Sequence, residues 1–115
     1  MIVSYSSVPV VGRFAPSPTG PLHFGTLVAA VASYLQARHT DGRWLVRIED
    51  LDPPRVVPGS AAALLSLLED LGFEWDGGIS YQSTRFERYR DILKELRRQQ
   101  LVFDCGCSRR EILAS

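Results

Sequence analysis

Lysine is nearly missing from this chain. Of its thirteen basic residues only Lys94 is a lysine, and it sits in a charged helical pattern between Leu93 and Glu95. Thirteen acids balance the thirteen bases, so the formal net charge is zero. Nothing global therefore draws nucleic acid, and any RNA contact has to come from a local patch. No apolar run approaches the ~20 residues that a membrane span needs. The start, Met1-Ile2-Val3-Ser4-Tyr5-Ser6-Ser7, has neither the basic beginning nor the long apolar core of a signal peptide. These absences predict a cytoplasmic protein with no membrane partner. Cysteine is scarce too: Cys105 and Cys107 stand one residue apart, a poor disulfide pair and a better half of a metal site. Neither Gly-x-Gly-x-x-Gly nor Gly-x-x-x-x-Gly-Lys-Ser/Thr occurs, so no dinucleotide fingerprint or P-loop is present. The chain has no internal repeats. With 115 residues and 45% apolar content it allows one globular domain, or part of one.

What is present is concentrated in Arg13-Phe14-Ala15-Pro16-Ser17-Pro18-Thr19-Gly20-Pro21-Leu22-His23-Phe24-Gly25-Thr26. Three prolines fix φ at near-alternate positions, so this loop loses little entropy on being ordered. Apolar residues from Val8 lead in as a strand, Val8 to Phe14, that reads as covered on both faces. A helix leads out, from Pro21 to about His39, with Phe24, Leu27, Val28, Val31, Tyr34, Leu35 and Arg38 on one face. Asp41-Gly42 ends it. A stiff loop at a helix N-terminus is a natural anion site, because free N–H groups and the dipole point outward. The alternative is a Pro/Gly-rich connector carrying a surface histidine, His23.

Trp44 to Ile48 is the second strand, which completes a parallel βαβ unit over roughly forty residues. Ligands of open α/β sheets bind beyond the carboxyl ends of the strands. Arg13 lies near one such end and Glu49 at the other, a cation and a carboxylate on one rim that suit a zwitterionic amino acid. A solvated acidic turn is the competing account of Glu49, and Asp50 and Asp52 are assigned to that turn. Gly59-Ser60 opens a helix through Leu71 whose core face is Leu64, Leu65, Leu67, Leu68 and Leu71. Gly72 stops it, and Trp75 to Gly78 is a turn. Thr84 and Glu87 have capping-box spacing before a helix with Phe86, Tyr89, Leu93 and Leu96 buried. Its other face carries six bases against three acids, a solvated surface or, as the minority reading, a phosphate contact. Leu101 to Phe103 reads as a short strand. Residues 1–7 are expected to be poorly ordered.

The fourteen-residue stretch resembles the first signature of class I aminoacyl-tRNA synthetases in its glutamate-specific form, with His23-Phe24-Gly25-Thr26 where the family at large has His-Ile-Gly-His. Arg47-Ile48-Glu49-Asp50-Leu51-Asp52-Pro53-Pro54-Arg55 and Cys105-x-Cys107-Ser108-Arg109 extend the likeness over nearly the whole chain. It is greatest to the short paralogues of glutamyl-tRNA synthetase that lack the anticodon-binding domain. The resemblance implies a Rossmann-like α/β catalytic domain, of which residues 1–115 are the N-terminal part, truncated before its second half. It implies the start of a zinc-knuckle insertion at about 101–115, with Cys105 and Cys107 as half a zinc site; taken alone, two structural thiols are an even alternative. The lysine-rich second signature loop has no counterpart here.

The implied reaction is ATP- and Mg2+-dependent conversion of glutamate to glutamyl-adenylate, then transfer to the queuosine base of tRNA(Asp), by a monomer. His23, Gly25 and Thr26 fall at the catalytic positions; Arg13, Phe14, Ala15, Pro16, Ser17 and Glu49 fall at the glutamate-binding ones. A chain without the second loop is expected to be inactive by itself. An ordinary glutamyl-tRNA synthetase fragment, or a non-catalytic nucleotide-binding module, are the alternatives.

Overall fold

The computed structural model describes residues 8–114, so the expectation for residues 1–7 lies outside the described residues. Its elements are β1 (Val11–Phe14), α1 (Phe24–His39), β2 (Arg43–Ile48), α2 (Ser60–Asp70), β3 (Ser80–Tyr81), α3 (Phe86–Arg98) and α4 (Arg109–Ala114). Short 3-10 turns occupy Pro53–Arg55 and Gln82–Arg85. The chain divides into two units, Met1–Thr84 and Arg85–Ser115.

In the first unit all strands run parallel, in the order β1-β2-β3, with Arg13 level with Leu45 and Ile48 with Tyr81. The βαβ reading holds. Strand alternation divides β2: Trp44, Val46 and Ile48 are buried, whereas Arg43, Leu45 and Arg47 face the other way. Trp44 is the centre of the core. Phe14 and Phe73 stack on it at 5.8 and 5.5 Å between ring centroids, Tyr34 meets it edge-on at 5.2 Å, and its Nε1–H donates to Ser33 Oγ at 3.0 Å.

Two expectations for this unit need correcting. The first strand is β1 alone and not Val8 to Phe14, because the ladder starts with Val11 level with Arg43, the first residue of β2, whose N–H also donates to Val10 O at 3.0 Å. Val8 and Val11 are largely exposed, so β1 is covered on one face only. The face that α1 buries matches the apolar one expected only in part: Leu27 and Tyr34 pack against the core. Ala30 and Ala37 are fully buried, while Phe24, Val28, Val31 and Leu35 are exposed. The reason is close approach at Gly12, where a Cβ would lie 2.9 Å from Ser33 O and 3.2 Å from Ala37 Cβ. A helix so near the strand admits alanine and serine, and the larger residues turn outward.

The helix ends where predicted. Asp41 takes φ 52 and the Gly42 N–H donates to Ala37 O at 2.8 Å. In α2, Leu64 and Leu68 are buried, Leu65 is half-buried, and Leu67 and Leu71 are exposed.

In the second unit α3 has no fully buried residue, and Phe86, Ile92 and Leu93 are exposed. The Thr84–Glu87 capping box does not form: Thr84 Oγ1 donates to Tyr81 O at 2.8 Å instead. Leu101 to Phe103 is not a strand, and Leu101 and Phe103 stay exposed. A capping box does form at α4. Ser108 N–H donates to Glu111 Oε2 at 2.6 Å, and Glu111 N–H reaches back to Ser108 Oγ at 3.4 Å. The Ser108 hydroxyl and N–H hold the Glu111 carboxyl below its ordinary range.

Candidate active site

Parallel pairing puts the carboxyl ends of β1 and β2 on one rim. Arg13 is the penultimate residue of β1, and Glu49 follows the last residue of β2. The Arg13 side chain is exposed and makes no ion pair among the described residues. Glu49 is held twice: its N–H donates to Pro16 O at 2.9 Å, and its Oε1 accepts from Arg47 Nη2 at 2.6 Å.

The signature loop is fastened by its carbonyls. Besides the Pro16–Glu49 bond, Pro18 O accepts from Val57 N–H at 3.0 Å and from Ser60 Oγ at 2.6 Å. Pro18 itself is fully buried. Gly20 then turns the chain at φ +132, a conformation that costs a side-chain-bearing residue dearly. Pre-set proline torsions and three long-range bonds leave this loop one shape.

A cavity of about 320 Å³ opens against it, lined by Ala15, Pro16, Ser17, Thr19, His23, Thr26 and Leu64 among others. His23 is the N-cap of α1, but its side chain makes no capping bond and stays exposed. Its carbonyl accepts from Thr26 and Leu27 N–H, at 3.0 and 3.1 Å. The first turn of α1 carries no acid. The imidazole and the positive end of the helix are thus both available to an anion in the cavity. A Cβ at Gly25 would meet nothing within 4 Å, so packing within the chain does not call for glycine there. Arg13, Phe14, Gly25 and Glu49 do not line this cavity. Phe14 has its ring in the core. A larger apolar groove of about 620 Å³ lies between Pro21 and Leu22 on one side and α2 on the other; it holds no convergent charged groups.

Two acids that anchor this framework were not expected to. Asp50 was assigned to a solvated turn, yet it accepts from Ser83 N–H at 2.8 Å and Ser83 Oγ at 2.6 Å. Burial pushes its carboxyl up, but the Ser83 bonds, with smaller help from the backbone of Asp50 and Gln82, outweigh that and the pKa falls below the ordinary range. Asp76 accepts from Trp44 N–H and from Arg38 Nη1, both at 2.8 Å, and these bonds lower its pKa. No local pattern marks either acid, since each reaches more than thirty residues along the chain. Asp52 conforms to the expectation, in an exposed pair with Arg55 at 2.6 Å.

In the second unit Cys105 and Cys107 are exposed, free thiols. Among the described residues no group of three or more His, Cys, Asp or Glu could hold a metal. The thiols suit zinc chemically but are two donors where a closed shell needs four. On α3, Arg90, Lys94 and Arg98 pair with Glu87, Asp91 and Glu95, and Arg97 pairs with Asp104. Among the described residues, Arg85 and Arg88 are the bases of that face left without an acid.

The family model for the catalytic domain of class I tRNA synthetases specific for E and Q matches residues 9–114. The chain belongs to that family. This synthetase domain is 60% identical over 107 residues to the glutamyl-Q tRNA(Asp) synthetase of Dechloromonas aromatica, covering 93% of the chain and 36% of the relative. It is 54% identical over 114 residues to that of Aromatoleum aromaticum, again covering 36% of the relative. Among solved structures it resembles a glutamate tRNA ligase of Elizabethkingia meningosepticum in complex with its amino acid, at TM-score 0.69 and 38% identity over 91% of the chain and 22% of that protein. The glutamate-tRNA synthetase of Elizabethkingia anophelis gives TM-score 0.67 and 41% identity, over 76% of the chain and 20% of that protein. The synthetase domain therefore spans about a third of the length of its curated relatives. The fold is the Rossmann-like α/β arrangement of a class I catalytic domain. Among the described residues no helix is long and apolar enough to cross a membrane.

Proposed function

We propose that this synthetase domain is the N-terminal part of a glutamate-activating enzyme of the cytosol that modifies the queuosine base of tRNA(Asp). The observation that carries the reading is the bond from Glu49 N–H to Pro16 O. Through it the acid at the end of β2 is built into the loop that carries Ser17 and His23, on the rim that Arg13 also occupies. The names of relatives at 54% and 60% identity support the queuosine step.

In the first step an oxygen of a glutamate carboxylate attacks the α-phosphorus of ATP. The bond to the bridging oxygen breaks, pyrophosphate leaves, and glutamyl-adenylate remains; in the second step the acyl group passes to the RNA and AMP leaves. The substrate is its own nucleophile, so the protein supplies alignment and charge stabilisation. His23 and the first turn of α1 donate to phosphate oxygens, and Gly25 leaves the helix backbone open to the nucleotide. Arg13 holds a glutamate carboxylate bidentately, Ser17 adds a hydrogen bond, and Glu49 pairs with the ammonium. Mg2+ accompanies ATP. Cys105 and Cys107 would supply two of the four ligands of a structural zinc.

Pyrophosphate exchange in the full-length protein tests this. Arg13→Ala is expected to raise KM for glutamate about ten- to a hundredfold with little change for ATP, the cost of one charge-assisted contact. Glutamine should be a poor substrate of the wild type and little affected. Equal losses for both amino acids would make Arg13 a general anchor and not the selector. Transfer to tRNA(Asp) with and without queuosine, against tRNA(Glu), decides the acceptor. Charging of tRNA(Glu) would replace the queuosine reading with an ordinary glutamyl-tRNA synthetase.

A further inference from the structure

Arg47 is placed where a strand residue of no function would be aliphatic. It lies between Val46 and Ile48, which are 3% and 0% exposed, on the sheet face that also carries Leu45. Its Nε is buried and has no hydrogen-bond partner among the described residues, a loss that a leucine or methionine would not suffer. What the guanidinium does is hold Glu49, with Nη2 2.6 Å from Oε1, and both side chains are about two-thirds covered.

The consequence lies in Glu49. Its main chain is fixed by Pro16 O and one carboxylate oxygen by Arg47. An ionised carboxylate offers about four acceptor sites on two oxygens, so Oε2 is left for a donor from a ligand. A carboxylate already held in place loses no rotamer freedom when an ammonium arrives.

We propose that Arg47 is a positioning residue for amino-acid binding: it pre-orients Glu49 so that the carboxylate meets the substrate ammonium. The proposal rests on the reading of Glu49 as the ammonium's partner. Arg47 itself touches no substrate.

The test is pyrophosphate exchange and thermal melting of the full-length protein, with Arg47→Met, Arg47→Lys, Glu49→Gln and the double variant Arg47→Met/Glu49→Gln. Arg47→Met keeps the stem and removes the unpaired N–H, so its melting temperature should match or exceed the wild type. Its KM for glutamate should rise about tenfold, with KM for ATP within about twofold. Arg47→Lys should recover part of the loss. The double variant should be no worse than Glu49→Gln alone, since both changes remove one function. Additive losses, or parallel rises in both KM values, overturn the proposal and leave Arg47 a packing residue. If Glu49→Gln impairs glutamate and Arg47→Met does not, the positioning role alone fails. If Glu49→Gln leaves KM for glutamate unchanged, the ammonium reading fails and the proposal with it.

Discussion

The rim around Glu49 and the helix α3 both carry acids and bases and hold them in opposite ways. At the rim the ties are long and partly covered: Asp50 to Ser83, Glu49 to Pro16 and Ser60 to Pro18 join residues 33, 33 and 42 positions apart. Along α3 the ties are local and exposed, with Arg98 to Glu95 three residues apart and Arg97 to Asp104 seven. Long ties constrain where chain segments lie, so the loop they bound has a fixed shape. Local ties decorate a helix that would form without them, and water and salt compete for each one. Charge alone therefore says little about where a site is; the separation and burial of the partners say more.

Removing the centre of the first region should have the largest effect. Trp44→Ala leaves a void among Phe14, Tyr34 and Phe73, and should lower unfolding free energy by about 3–5 kcal/mol in urea titrations. If the loss is below about 1 kcal/mol, Trp44 does not hold the rim together. A single long tie should matter less. Asp50→Ala should cost about 1–3 kcal/mol at pH 7, because Ser83 loses a charged acceptor. The pH dependence has a definite sign. The folded-state pKa of Asp50 is depressed, so its stabilisation is complete above the ordinary aspartate value of about 4. It drains away as the pH falls through the folded-state value. The difference between Asp50→Ala and wild type should accordingly shrink in acid, and a difference that widens there would contradict the assignment. The smallest effect belongs to α3. Arg98 and Gln99 pull the Glu95 carboxyl down to about 2, yet the pair is exposed. Glu95→Gln should leave the urea midpoint unchanged within error in 1 M salt. A clear shift there would erase the contrast between the two regions.

Much of this fold could be read from residue order. Proline and glycine punctuation located the loop, Asp41-Gly42 and Gly72 located helix ends, and Trp44 to Ile48 read as a strand between them. The carboxyl-end rule brought Arg13 and Glu49 to one rim before any coordinates. What escaped depends on distance between segments. The buried face of α1 is set by how closely Gly12 lets the helix approach, and hydrophobicity along the helix finds Leu27 and Tyr34 but misses Ala30 and Ala37. Asp50 looks like an acid in a turn until Ser83 is brought to it from 33 residues away. β3 has two residues, too few for any period to show. The capping box at α4 was legible, since Ser108-x-x-Glu111 has the same spacing as Thr84-x-x-Glu87. Only the hydroxyl's choice of partner separates the box that forms from the one that does not.

The double hold on the Pro18 carbonyl has a consequence in time. Pro16 to Gly20 is made before the groups that shape it, which are the N–H groups of Glu49 and Val57 and the hydroxyl of Ser60. At about 5–20 residues per second, Ser60 is added roughly two to eight seconds after Pro18. Until then the prolines give the loop stiffness without a destination. On the ribosome the signature loop thus exists before the groups that fasten it and is completed only when α2 begins.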